Sequence, residues 1–235
     1  MKTRMSVVIY IILVAVAALF LLIERLTHIE FMFHLAAIPI EVLVVVFIIE
    51  RLLENRENKQ KREHLMYIKS CLFRSEMRSL FTTNFNNLKS PPLTMSKILN
   101  STLDELKQMR RDAETVEYKS LEMMEPIIME YVDAQPVWQN FMDIAISCHF
   151  EEIFQDMVYI LHFIHDVKIF KEHNPDKLFI HEAEKRGLLM QKVKTVLGDG
   201  IRKFLDYAIE LKEKHPEMFY DIISDYELSA QISSQ

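Results

Sequence analysis

The sequence predicts an all-α protein: a two-helix transmembrane hairpin whose second helix continues into a cytosolic helical bundle. The first observation is that the 235 residues include only three glycines, two of which, Gly198 and Gly200, share one short segment. The second is that apolar residues recur at steps of three and four, which is the helical period, without continuous alternation. The third is a pair of apolar runs near the start, which at about 1.5 Å of rise per residue approach the roughly 30 Å of a hydrocarbon core.

The predicted hairpin occupies residues 1–53. Its first apolar run, residues 7–23, contains no charged side chain. Such a run is longer than the apolar region of about 7 to 15 residues in a signal peptide, so we expect a retained helix. The second run, residues 35–49, follows after eleven residues and is less uniform, because Pro39 and Glu41 interrupt it. The two runs therefore predict two membrane helices that differ in character, the first uniformly apolar and the second interrupted.

Basic residues predict the orientation of the hairpin, because Lys and Arg beside short loops tend to remain in the cytoplasm. Lys2 and Arg4 precede the first run, whereas Arg25 is the only basic residue of the connection. A basic collar follows the second run: Arg51, Arg56, Lys59, Lys61 and Arg62. We expect both termini to be cytoplasmic, the protein to reside in the inner (cytoplasmic) membrane, and the collar to contact anionic lipid headgroups.

Charge divides the chain in the same way. Residues 1–89 contain 12 basic and 8 acidic residues, whereas residues 90–235 contain 16 basic and 26 acidic ones. An acidic domain without a basic face argues against a nucleic-acid partner. Cys71 and Cys148 fall in the predicted cytosolic part, where thiols stay reduced, so no disulfide is expected.

The second membrane helix is predicted to continue through residues 54–89 as an extended basic and amphipathic helix. Residues 50–57 contain neither proline nor glycine to stop it. The segment Ser90-Pro91-Pro92 is expected to end it, because a residue before proline disfavours the α conformation. Residues 90–235 then form the cytosolic acidic α-helical domain.

Within that domain, an apolar stripe over residues 99–124 predicts one long amphipathic helix. Pro126 is expected in the first turn of a short helix that Gln135-Pro136 closes, and residues 137–170 are predicted to form one apolar helix. Asn174-Pro175 and His215-Pro216 indicate helix restarts, and Gly198-Asp199-Gly200 indicates a stop. Residues 229–235 are expected to form a frayed polar tail.

Glu41 is the first candidate for chemistry. A carboxylate within an apolar membrane helix is costly to bury and usually faces a partner, a cavity or a pore. Pro39 frees the carbonyl of Leu35, and an unpaired carbonyl near a carboxylate can form part of a cation site if several copies converge. The plainer interpretation is a structural polar contact with a neighbouring helix.

A second cluster of potential ligands follows residue 148. His149, Glu152, Asp156 and His165 are candidates for a metal site, since the first three recur at helical spacing. However, di-iron bundles repeat Glu-x-x-His on two helices, and this chain contains no such motif. The apolar positions of the same segment are sufficient to explain an amphipathic packed helix.

Nucleotide-binding and hydrolase motifs are absent from the sequence, including GxxxxGK[ST], GxGxxG, GxSxG and HExxH. No cofactor is predicted. The leading hypothesis is a non-enzymatic, membrane-anchored homo-oligomer, associating through coiled-coil-like stripes, with a cytosolic domain for self-association or for a protein partner. The alternative is an oligomeric ion channel with the second membrane helix lining its pore. A weaker alternative is a metal-dependent helical enzyme.

Overall fold

The computed structural model describes residues 2–27 and 31–233 and confirms the all-α fold class. Two short antiparallel strands, β1 (Leu88–Ser90) and β2 (Glu117–Tyr118), are the described exceptions. The helices are α1 (Lys2–Thr27), α2 (Phe31–Ser75), α3 (Arg78–Asn86), α4 (Met95–Asn100), α5 (Leu103–Asp112), α6 (Met124–Asp133), α7 (Gln135–Cys148), α8 (Glu151–His173), α9 (Phe179–Lys185), α10 (Gly187–Lys214) and α11 (Pro216–Ser233).

The chain divides into two compact units, Met1–Leu65 and Met66–Gln235, and the division falls inside α2. In the first unit the less exposed positions of α2 follow helical spacing at Ala36, Pro39, Leu43 and Val46, and the outward positions between them are exposed. No helix in the described ranges has both the length and the apolar character needed to span a membrane. The transmembrane part of the predicted hairpin is therefore unsupported by these residues.

The second unit has its own apolar core, built around α10. This helix packs against α5, α9 and α11, while α7 pairs with α8 and α3 pairs with α6. Phe204 of α10 lies 4.9 Å from Phe81 and 5.3 Å from Tyr226, measured between ring centroids. Edge and tilted ring pairs of this kind add about 0.5–1.5 kcal/mol each beyond their burial. The core thus joins residues that are more than 140 positions apart in the chain.

Residues 95–124 do not form the single long helix that their apolar stripe predicts. Thr102 starts α5 with a capping box: its hydroxyl accepts from the Glu105 N–H, and the Glu105 carboxylate accepts from the Thr102 N–H at 2.7 Å. Because these bonds satisfy backbone donors at a helix start, the chain breaks between α4 and α5. Strand β2 then interrupts the stripe again before α6.

The predicted helix over residues 137–170 is also divided. His149 ends α7 in the left-handed conformation, with φ of 59°, and α8 begins at Glu151. Conversely, Gly198 and Gly200 lie inside α10 and do not stop it. A side-chain carbon at Gly200 would collide with the Tyr131 hydroxyl, so this glycine permits close packing between α10 and α6.

Several local predictions are confirmed. The second predicted helix is continuous past the collar, and α7 and α11 begin at or beside Pro136 and Pro216. The predicted continuation of that helix through residue 89 is wrong, because α2 ends at Ser75 and α3 begins after a turn in which Met77 is buried. Pro126 lies in the first turn of α6. The predicted frayed tail is wrong through Ser233, because α11 extends to that residue; residues 234–235 lie outside the described chain.

Candidate ligand-binding cleft

A cleft of about 350 Å³ opens within the second unit. Residues from α2, α3, α6, α7, α8 and α10 line it, and its floor is aromatic: Phe73, Phe81, Tyr131, Trp138 and Phe141. Ligand sites in proteins are typically concave, apolar and about 300–1,000 Å³ in volume, with few polar groups. The cleft falls at the lower end of that range.

Two rings define the inner wall of the cleft. Tyr131 and Trp138 stack with centroids 5.6 Å apart and planes inclined by 7°, and the Tyr131 hydroxyl donates to the Val196 carbonyl. Trp138 is 7% exposed, and its buried indole N–H has no acceptor among the described residues. An unpaired buried donor costs about 1–3 kcal/mol, so the ring is held in the inner wall by its packing and not by a hydrogen bond.

The rim of the cleft is charged. Four of its carboxylates each have a basic partner: Asp156 with Lys203, Asp199 with Arg202 at 2.5 Å, Asp206 with Arg110 at 2.8 Å, and Glu210 with Lys214 at 2.8 Å. These pairs neutralise most of the negative charge that the sequence places there. Glu152 is exposed and takes part in no described ion pair.

Lys69 of α2 is the exceptional cation of the rim. Its ammonium makes no hydrogen bond or ion pair with the residues that the structure describes, although the side chain is half-buried. Burial lowers the pKa of Lys69, and the nearby carboxylate of Glu210 partly opposes that shift. A cation that is partly desolvated and unpaired is favourable for an incoming hydrogen-bond acceptor.

A second depression, of about 680 Å³, lies between α8, α9 and α10 and is more open. Its charged residues are already paired: Lys192 contacts Asp166 at 2.6 Å, and Arg186 contacts Glu182 at 2.8 Å. This depression therefore offers an incoming ligand less than the aromatic cleft does.

The residues proposed for a metal site are separated by the break at residue 149. His149 caps α7, whereas Glu152, Asp156 and His165 belong to α8. Glu152 and Asp156 line the aromatic cleft, and Asp156 is held by Lys203. Across residues 2–27 and 31–233, no three His, Cys, Asp or Glu side chains are arranged to hold a metal ion.

The predicted pore residues lie in the first unit. Pro39 is buried within α2 and Glu41 is exposed. The collar side chains of Arg51, Arg56 and Lys59 are exposed and that of Lys61 is half-exposed; the side chain of Arg62 lies outside the described part. Their proposed roles at a pore and at lipid headgroups stay predictions.

Sequence analysis did not single out Lys69 or Trp138. The sequence contains one signal for Lys69. It lies three residues after Met66 and four before Phe73, so this lysine adjoins the apolar stripe of a helix. Nothing local indicates that Trp138 would line the same cleft as Lys69, since the two residues are 69 positions apart in the chain. Comparison with known protein families, with curated proteins and with solved structures finds no match to this chain.

Proposed function

We propose that this chain is a non-enzymatic, membrane-anchored α-helical protein that assembles as a homo-oligomer in the cytoplasmic membrane. Residues 1–53 would form the transmembrane hairpin, both termini would be cytoplasmic, and the unit that begins at Met66 would be available for self-association or a protein partner. The observation that carries the proposal is the exposed apolar surface of α1 and α2.

That surface is extensive in the first unit. Large apolar side chains that are roughly half exposed include Ile11, Ile12, Val14, Leu19, Leu22, Ile38, Ile40, Val44, Val45, Phe47, Ile48, Ile49, Leu52 and Leu53. Soluble monomers rarely leave a contiguous patch of this kind uncovered, and such patches mark membrane or protein contacts. Lipid, or neighbouring copies of this chain, would bury this apolar surface.

The polar groups beside this surface favour lipid. The exposed cations Arg51, Arg56 and Lys59 follow the apolar segment, and a basic residue near an anionic leaflet contributes about 1 kcal/mol. The Tyr10 hydroxyl donates a hydrogen bond to the Glu50 carboxylate. This acidic side chain at the end of the apolar segment is therefore hydrogen-bonded within the first unit. These features support an anchor that lies beside anionic headgroups.

The test replaces outward apolar residues of α2 with lysine. Val45 and Ile48 are 53% and 51% exposed and lie three residues apart, on one face. Each lysine near the bilayer centre should cost about 2.5–3.5 kcal/mol of insertion free energy. The Val45→Lys/Ile48→Lys variant should leave the alkali-resistant membrane fraction, in which the wild-type chain should remain.

Leu188→Lys is the matched control, because Leu188 is an 86% exposed leucine of the second unit. Its membrane retention should equal that of the wild type. Light scattering of the detergent-purified chain should give a multiple of 27.9 kDa. A wild-type chain found in the soluble fraction, or a monomeric mass, would contradict the proposal.

An oligomeric ion channel is a second candidate, and the exposure of Glu41 favours it. This carboxylate lies among the exposed apolar side chains of Ile40 and Val42. A lipid-facing carboxylate is costly, whereas one that faces a hydrated axis between copies is not. The channel hypothesis predicts cation currents in planar bilayers that Glu41→Gln reduces; inserted oligomers without current would remove it.

A further inference from the structure

We propose that the aromatic cleft of the second unit binds an amphipathic carboxylate, whose apolar body rests on the aromatic floor and whose carboxylate contacts the Lys69 ammonium. This inference is independent of the proposed membrane anchor, because every lining residue belongs to the unit that begins at Met66. It assigns a ligand class to a cavity that the proposed function does not use.

The floor determines the apolar part of the ligand. Its rings are already packed against one another, as the 5.1 Å separation of the Phe73 and Phe81 centroids shows. Ile153, Met157 and Ile160 of α8 add aliphatic surface to the same cleft. A volume of about 350 Å³ with such walls suits one small apolar body rather than a solvated polar substrate.

The unpaired polar group of the cleft determines the head of the ligand. The cleft offers the Lys69 ammonium, which donates hydrogen bonds and lacks a described acceptor, whereas the Trp138 indole N–H is buried in the wall and is not presented to a ligand. The Tyr131 and Tyr207 hydroxyls already donate to the Val196 carbonyl and to the Ser70 hydroxyl. An unpaired cationic donor requires a ligand that brings an acceptor, and a carboxylate does so with a complementary charge.

The acidic residues of the rim argue for the opposite ligand, a cationic amphiphile. Their effect is reduced because Asp156, Asp206 and Glu210, which face Lys69, each contact a basic side chain. The remaining carboxylate, Glu152, is exposed and therefore screened by water. The unpaired Lys69 ammonium inside the cleft thus favours an anionic ligand. Binding of a cationic amphiphile is the competing outcome of the experiment.

Trp138 provides the assay, because it is the only tryptophan of the chain and it lines the cleft. The purified full-length protein is titrated with three bromine-labelled eight-carbon ligands: 8-bromooctanoate, 8-bromooctanol and 8-bromooctyltrimethylammonium. Bromine quenches tryptophan fluorescence only at short range, so quenching reports occupation of the cleft. The three ligands share the apolar chain and differ in the charge of the head.

The carboxylate should reach half-saturation at a concentration about tenfold lower than the alcohol or the ammonium, as a charge-assisted hydrogen bond implies. Lys69→Met should remove that advantage. Lys194→Met, at an exposed lysine of α10 outside the cleft, should retain it. Ile160→Phe, which fills the cleft, should weaken quenching by all three ligands.

Four results would overturn the proposal: no quenching by the carboxylate, equal half-saturation for the three heads, tighter binding of the ammonium, or an undiminished carboxylate preference in Lys69→Met. If Lys69→Met does not fold, as judged by circular dichroism, the order of the three ligands on the wild-type protein still decides the question.

Discussion

Glu125 is a buried carboxylate that joins three parts of the second unit, and its removal should be among the most destabilising substitutions in the chain. The residue is 5% exposed. Its carboxylate accepts from the backbone N–H groups of Phe179 at 3.0 Å and Ile180 at 2.9 Å, and it contacts the Lys171 ammonium at 2.6 Å. It thereby ties α6 to the start of α9 and to the end of α8.

The expected cost follows from these three contacts. Glu125→Ala leaves two backbone donors without their acceptor, at about 1–3 kcal/mol each, and leaves the Lys171 ammonium without its carboxylate, with only the Lys177 carbonyl as acceptor. The Lys171 side chain is 23% exposed, so water can recover part of that loss. The free energy of unfolding should fall by about 3–5 kcal/mol, which is typical when one partner of a buried ion pair is removed.

The assay is guanidinium unfolding of the detergent-solubilised chain, followed by the fluorescence of Trp138. Glu125→Gln, which keeps one acceptor oxygen, should cost less than Glu125→Ala. Glu122→Ala is the control, because Glu122 is exposed and should change the free energy by no more than about 0.5 kcal/mol. A cost below about 1 kcal/mol for Glu125→Ala would refute the reasoning.

Three further predictions concern the same unit and the same unfolding assay. Gly200→Ala should cost about 1–3 kcal/mol through its collision with the Tyr131 hydroxyl, whereas Gly198→Ala, which meets only a flexible guanidinium, should be neutral or stabilising; equal effects would contradict this. Thr102→Ala should cost about 1 kcal/mol by removing the capping box, and an unchanged midpoint would contradict it. Burial raises the pKa of Tyr207 to about 12, so its contribution to stability is complete below pH 10 and is lost as pH rises toward 12, at about 1.4 kcal/mol per unit. Burial also raises the pKa values of Tyr118, Tyr131 and Tyr226, so Tyr207→Phe should reduce the alkaline decline without abolishing it, and an unchanged decline would contradict this.

Elements with strong local signals were predictable from the sequence. The continuity of α2 follows from the lack of proline and glycine after Pro39, and the helix starts near Pro126, Pro136 and Pro216 follow from the tolerance of proline in a first turn. These signals act within a few residues, so they do not depend on the rest of the fold.

Other features depend on competition between two local signals, or on contacts between residues that are distant in the chain. The apolar stripe over residues 99–124 is genuine, but the capping bonds of Thr102 outweigh it locally. Gly200 is typical of a helix stop in sequence, yet its packing against Tyr131 keeps it inside α10. The cleft joins Lys69 to α7, α8 and α10, and no local pattern predicts which distant helices will converge.

The proposed membrane anchor is tested most directly at Cys71, an exposed thiol of α2 beyond the apolar segment. In a Cys148→Ala background it is the only cysteine, and spheroplasts expressing this chain are treated with a membrane-impermeant maleimide before or after permeabilisation. A His28→Cys/Cys71→Ala variant, with its thiol in the connection between α1 and α2, serves as the control. We expect Cys71 to be labelled only after permeabilisation and the control thiol to be labelled in intact spheroplasts. Labelling of Cys71 in intact spheroplasts, or recovery of the chain without membranes, would contradict the account.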